Sequence, residues 1–125
     1  MKDDELYLTQ IADAIAFVKE DSAGGREHFL SDRRTQQLIF HNLQIVGEAT
    51  KRLSAETRAQ APDIEWTEVA GLRDVLVHNY DGISPDLIWE IVERDVLRLE
   101  TAVTALIMIV QAATDKGEAS PALGD

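Results

Sequence analysis

The chain has 125 residues, 45% of them hydrophobic and 28% charged, with a formal net charge of −11 and no cysteine. That length fits one domain with a modest core, not two independent cores. The lack of thiols excludes a disulfide framework, an iron–sulfur cluster and thiolate zinc sites, and the opening Met1-Lys2-Asp3-Asp4-Glu5 lacks the apolar run of a secretory signal.

Asp3 and Asp4 are placed to cap a first helix and to complement its dipole. Leu8, Ile11, Ile15 and Val18 then recur at spacings of three and four, which marks one apolar stripe. Asp21-Ser22-Ala23-Gly24-Gly25 ends that helix, and residues 26–31 predict a short helical turn. A second long helix is predicted from about Asp32 to Leu53, with Ile39, Leu43, Val46, Ala49 and Leu53 on its buried side. Gly47 in its middle costs about 1 kcal/mol relative to alanine, which points either to a close helix crossing there or to a neutral glycine that the helix tolerates. Residues 55–60 read as another short helix before Pro62 and Asp63 break the chain.

A third helix is predicted from Trp66 or Thr67 to about Asn79, burying Val69, Leu72 and Leu76, before the turn signal Asp81-Gly82. Ser84-Pro85-Asp86 starts a fourth: a capping hydroxyl, a proline at the first helical position, then an acid. Its stripe of Ile88, Ile91, Val92, Val96, Leu99, Val103, Leu106 and Val110 runs without interruption. The nearly uncharged stretch from Thr101 to Thr114 is too short to span a bilayer. No strand alternation or internal repeat is visible. The expectation is an all-α, antiparallel bundle of four main helices plus short helical turns. It places the domain at residues 1–114, with a flexible acidic tail at 115–125, in a cytoplasmic protein with no membrane association.

The net charge opposes nucleic-acid binding, which is driven largely by lysine and arginine. The basic groups, however, concentrate: residues 23–60 hold six of them against four acids, as Arg26, Arg33, Arg34, Lys51, Arg52 and Arg58. A local basic face within an acidic whole follows. The acidic bulk equally suits a basic protein partner or solubility alone.

The densest chemistry lies in Arg73-Asp74-Val75-Leu76-Val77-His78-Asn79-Tyr80. Arg73 offers a fixed fork for phosphate oxygens, His78 titrates near neutral pH, and Tyr80 adds a hydroxyl. Five residues apart, Arg73 and His78 point about 140° apart on an ideal helix. Either the helix loosens near His78, or two copies face each other across a dimer and share one cleft; we favour the second. Such a cleft suits RNA cleavage. The ribose 2′-hydroxyl attacks its own phosphate, histidine moves the protons, and arginine stabilises charge on the pentacoordinate phosphorus. The products are a 2′,3′-cyclic phosphate and a 5′-hydroxyl. Asp74 is placed to orient Arg73 or the histidine of the other copy. No metal or cofactor motif is evident.

The structural alternative gives each residue a plainer task. His78 would cap a helix C-terminus, Arg73 would pair with an acid, and Tyr80 would pack its ring in the core. His28 and His41 read as exposed or helix-packed, Glu48 as a surface acid, and Trp66 and Trp89 as core anchors rather than base-stacking platforms.

Three segments carry a family likeness. Asp32-Arg33-Arg34-Thr35 leads into Asn42-Leu43-Gln44-Ile45-Val46-Gly47-Glu48-Ala49-Thr50-Lys51-Arg52-Leu53; Trp66 to Asp74 leads into Leu76-Val77-His78-Asn79-Tyr80; the turn then runs into Leu87-Ile88-Trp89-Glu90-Ile91-Val92. Across about residues 5–112 the chain resembles the HepT-like toxins of the HEPN superfamily. The resemblance implies a dimeric, HEPN-like, metal-independent endoribonuclease, the toxin of a toxin–antitoxin pair. Arg73 and His78 match the family's catalytic pair, and Asp74 matches the polar position after the arginine. Tyr80 matches the tyrosine that an MntA-like nucleotidyltransferase antitoxin modifies with AMP. The implied substrate is transfer RNA or messenger RNA. The competing reading is a non-catalytic helical homodimer that binds a nucleotidyltransferase or a nucleotide.

Overall fold

In the computed structural model the backbone is described for residues 2–78 and 84–124, and the side chains for residues 3–72, 74 and 84–115. The order is α1 (Lys2–Asp21), α2 (Arg26–Ser31), α3 (Arg33–Lys51), α4 (Ala55–Ala59), α5 (Trp66–His78), α6 (Pro85–Arg94) and α7 (Val96–Gly124), and the described residues include no strand. The all-α expectation holds. The four stripes read from the sequence appear as α1, α3, α5 and the α6–α7 pair, and the two short turns as α2 and α4.

α3 is the central element. α1 and α5 pack on it, α2 touches its start, and α7 lies along α1. Leu8, Ile11, Ile15 and Val18 of α1, Ile39, Leu43 and Val46 of α3, and Val103 and Leu106 of α7 are almost wholly buried. Burying each such side chain contributes about 1.5–3 kcal/mol. Gly47 is buried on this same central helix. Lys19 of α1 reaches Glu100 of α7 at 3.1 Å, so the end of one helix lies by the start of the other. α2 is anchored by Phe29, whose ring meets Trp89 of α6 with centroids 5.3 Å apart. Both tryptophans are buried, and the Trp66 indole N–H donates to the Ala61 carbonyl at 2.9 Å.

The fourth predicted helix is two. Asp95, at φ −104 and ψ −30, ends α6 with its N–H on the Ile91 carbonyl, and its own carbonyl accepts from Leu99 at 3.0 Å. The apolar stripe crosses this break in phase, through Val92, Val96 and Leu99, so periodicity carries no mark of it. The helical backbone of α7 continues to Gly124, past the boundary at Thr114 that composition suggested. Within it, Val96–Asp115 is long and apolar enough to cross a membrane by length and composition, although the uncharged stretch alone is not. In this fold Val96, Leu99, Val103, Leu106 and Val110 of that helix face the bundle core.

Asp3 and Asp4 lie inside the first turn of α1 rather than at its cap. The Asp4 carboxylate, 2% exposed, serves the α3–α4 corner instead. It accepts from the Ser54 N–H at 2.9 Å, the Ser54 hydroxyl at 2.6 Å and the Thr57 hydroxyl at 2.6 Å. Ser54 in turn caps α4 by accepting from the Thr57 N–H. From the other side, Arg58 donates to the Thr50 and Lys51 carbonyls that end α3. Burial pushes the Asp4 carboxyl up, but the bonds from Ser54 and Thr57 together outweigh burial and hold it below the ordinary 3.8.

Two outcomes follow. Asp4→Ala leaves three donors, those of half-buried Ser54 and buried Thr57, without their charged acceptor and lowers unfolding free energy by about 2–4 kcal/mol, read by urea titration. Because the native carboxyl lies below its unfolded value, its stabilisation is complete above about pH 4 and is lost as pH falls through the native value. Asp4→Asn flattens that acid limb of the stability curve.

Candidate active site

α5 is built to hold its length against one neighbour. Trp66 anchors its start, Glu65 accepts from the Val69 N–H at 3.0 Å, and Val69 and Leu72 are half-buried against the core. Its packing is on α3. The backbone stays helical through His78, so Arg73 and His78 sit five residues apart on one unbroken helix. Their positions are therefore about 140° apart around its axis. The side chains of Arg73, Leu76 and His78, and all of Asn79, Tyr80 and the Asp81-Gly82 turn, lie outside the described residues.

Asp74 is described, and it is engaged. Both of its carboxylate oxygens accept from the Lys51 ammonium, at 3.1 and 3.0 Å. This pair stitches the last turn of α3 to the middle of α5. Asp74 also lies four positions before His78, on the same face of the helix one turn earlier. Lys51 was visible in the sequence only as one of several basic residues. Nothing in the linear spacing links it to Asp74, since the two are 23 positions apart with a short helix between them.

The basic segment does not gather into one face. Arg26 pairs with Asp86 at the start of α6, at 2.7 Å. Arg52 lies over the Tyr7 ring and 3.5 Å from Glu48, and Arg58 is spent on the end of α3. Arg33 and Arg34 are exposed in the first turn of α3. His28 is exposed and 3.4 Å from the Asp32 carboxylate, while His41 is exposed. The Asp32 carboxyl is held below its ordinary value, first by the Thr35 hydroxyl that donates to it at 2.6 Å.

A cavity of about 320 Å³ opens between α5 and the α6–α7 hinge. Val18, Val46 and Leu72 contribute to its apolar floor, and Glu65, Glu68 and Asp95 to its rim. Leu72, the residue before Arg73, is among those that line it. Among the described residues, no group of three or more histidine, aspartate or glutamate side chains is placed to hold a metal ion.

Comparison with known proteins settles the kinship. The model of the family described as "Ribonuclease HepT-like" matches residues 11–106, which include all of α3, α5 and α6. The chain belongs to the HepT-like ribonuclease family. It is 36% identical over 95 residues to a protein of Thermococcus cleftensis named "Probable ribonuclease HepT", covering 75% of this chain and 86% of that one. It is 33% identical over 108 residues to a "Putative RNase" of Caldanaerobacter subterraneus subsp. tengcongensis, covering 86% of this chain and 96% of the relative. A third relative, from Methanocaldococcus jannaschii, is named "Gamma-glutamylcyclotransferase and putative RNase". It is 31% identical over 107 residues, and the chain spans about half of its length, 48%. No solved structure matches.

Proposed function

We propose that this protein is a metal-independent endoribonuclease, acting as the toxin of a HepT/MntA-like toxin–antitoxin pair in the cytoplasm. The observation that carries the reading is that the matched family region includes the whole of α5, the helix that bears Arg73 and His78. An unbroken helix holds these positions about 140° apart. That rotation favours a homodimer in which the arginine of one copy works with the histidine of the other.

In the proposed cleft, His78 takes the proton of the ribose 2′-hydroxyl as its oxygen attacks the adjacent phosphorus. Arg73 stabilises the charge that grows on the phosphoryl oxygens. The bond to the 5′-oxygen breaks, and that oxygen leaves with a proton taken from water. Asp74 touches neither the nucleophile nor the leaving group in this scheme. Transfer RNA or messenger RNA is the substrate class. The antitoxin, an MntA-like nucleotidyltransferase, joins the Tyr80 phenolic oxygen to the α-phosphorus of ATP and releases pyrophosphate. The added phosphate charge, two residues beyond His78, repels an RNA backbone and obstructs the cleft.

Three measurements test this. Replacing His78 with alanine lowers RNA cleavage by about 10²–10⁴-fold and ends growth arrest on expression without a partner; equal toxicity in the variant rejects catalysis by this residue. Cleavage products carry 2′,3′-cyclic phosphate ends in a chelator-containing buffer. Arg73→Ala and His78→Ala copies, each inactive alone, recover cleavage when co-refolded as mixed dimers. If each protomer held a self-contained site, the mixture would stay inactive.

A further inference from the structure

Among the described residues, every lysine and arginine but two has a partner. Lys19, Arg26, Lys51, Arg52 and Arg94 each meet a carboxylate, and Arg58 and Arg98 donate to backbone carbonyls. The two left over, Arg33 and Arg34, are neighbours in the first turn of α3, and both are exposed. Their guanidinium groups make no ion pair or hydrogen bond. Two unspent cations side by side are unexpected in a chain where 23 acids face 12 lysines and arginines.

The surface beyond them is cleared of acid. From Arg33 to Gly47 the sequence holds no aspartate or glutamate. Gln37, Leu38 and His41 are exposed along this stretch. At 100° per residue, Arg33, Gln37, His41, Arg34 and Leu38 fall within about 140° of the helix circumference, so they share one side. From Arg33 to His41 that side covers about 12 Å of helix, the axial rise of roughly three nucleotides in a duplex strand. The nearest acid in sequence, Asp32, accepts from the Thr35 hydroxyl at 2.6 Å and lies 3.4 Å from the His28 ring; neither arginine pairs with it.

We propose that this side of α3 is a binding strip for the RNA backbone, with the Arg33 and Arg34 guanidinium groups on phosphate oxygens and Gln37 and His41 supplying further hydrogen bonds. This rests on the ribonuclease reading above and names residues that hold its substrate; none of them touches the reacting atoms. A guanidinium presents paired N–H donors that match phosphate oxygens. A polyanion is repelled by most of a surface with net charge −11, so it settles where acids are absent and cations are free. An acidic protein needs only a spot of positive charge, whereas an acid-free strip of this length suits a run of regularly spaced phosphates.

The test uses the full chain in its natural assembly, freed of Tyr80 modification as judged by mass, with total cellular RNA as the substrate. Arg33→Gln combined with Arg34→Gln is expected to raise KM about tenfold while kcat changes by less than about threefold, the signature of lost substrate binding. Binding is read separately in a His78→Ala background, from the anisotropy of labelled transfer RNA over a potassium chloride series. There the glutamine pair lowers the slope of log Kd against log salt by about 1.4–1.8, the value for two lost phosphate contacts. A merely structural role leaves that slope alone. Arg33→Lys combined with Arg34→Lys keeps the slope, because the charge is kept. Arg94→Gln removes a cation that is already paired with Glu90, and it shifts KM by less than about twofold.

An unchanged KM and slope in the glutamine pair, beside a parent that cleaves, overturn the inference and leave the arginines to an acidic protein partner. A lysine pair with the reduced slope overturns it as well. So does a glutamine pair that elutes as a smaller assembly, which would place the arginines between copies. A parent that binds RNA through the two arginines yet leaves it whole rejects the ribonuclease reading and keeps the strip. A parent that neither binds nor cleaves rejects both.

Discussion

A helix turns by about 100° per residue, and α5 keeps that rotation from Trp66 to His78. Everything proposed for the site answers to this constraint. Two groups five positions apart cannot converge on one phosphorus from the same straight helix. On the proposed reading, a single bundle therefore offers half of two sites rather than one whole site. The proposed homodimer would repair this economically, because a two-fold axis presents the same surface twice and brings unlike groups opposite each other.

The rest of the bundle positions that helix. α3 takes α1 on one flank and α5 on the other, with Ile39, Leu43 and Val46 filling the space between. The corner after α3 is fixed twice over, by Asp4 gripping Ser54 and Thr57 and by Arg58 on the last carbonyls of α3. That corner sets where Lys51 ends, and so where Asp74 is caught. A buried acid at the start of the chain thus bears on the position of a carboxylate on α5, through one continuous set of hydrogen bonds and one ion pair.

The helices were legible in the sequence wherever burial repeats with the helical period. Leu8, Ile11, Ile15 and Val18 are all almost fully buried, as their spacing requires. Ser84-Pro85-Asp86 starts α6 as written, with the Ser84 hydroxyl accepting from the Asp86 and Leu87 N–H groups. The break at Asp95 was not legible, because Val92, Val96 and Leu99 stay in phase across it and no glycine or proline marks the spot. Nor was the task of Asp4, an acid in a first helical turn whose partners lie 50 and 53 residues away. The same limit applies to the site. Arg73, Asp74 and His78 stand out by residue type and spacing, and the family kinship was readable from their flanking segments. Lys51 was hidden, because a contact between helices leaves no trace in local spacing.

The shared cleft is the claim on which the functional account stands, and the absence of cysteine makes it directly measurable. Cysteine at position 73 in one tagged copy and at position 78 in an untagged copy, joined by a short bis-maleimide, reports their proximity across the assembly. The account predicts a covalent pair of one tagged and one untagged chain, formed at low protein concentration and suppressed by RNA. A protein that elutes as a dimer yet yields no such pair, or that cleaves RNA as a monomer, contradicts it.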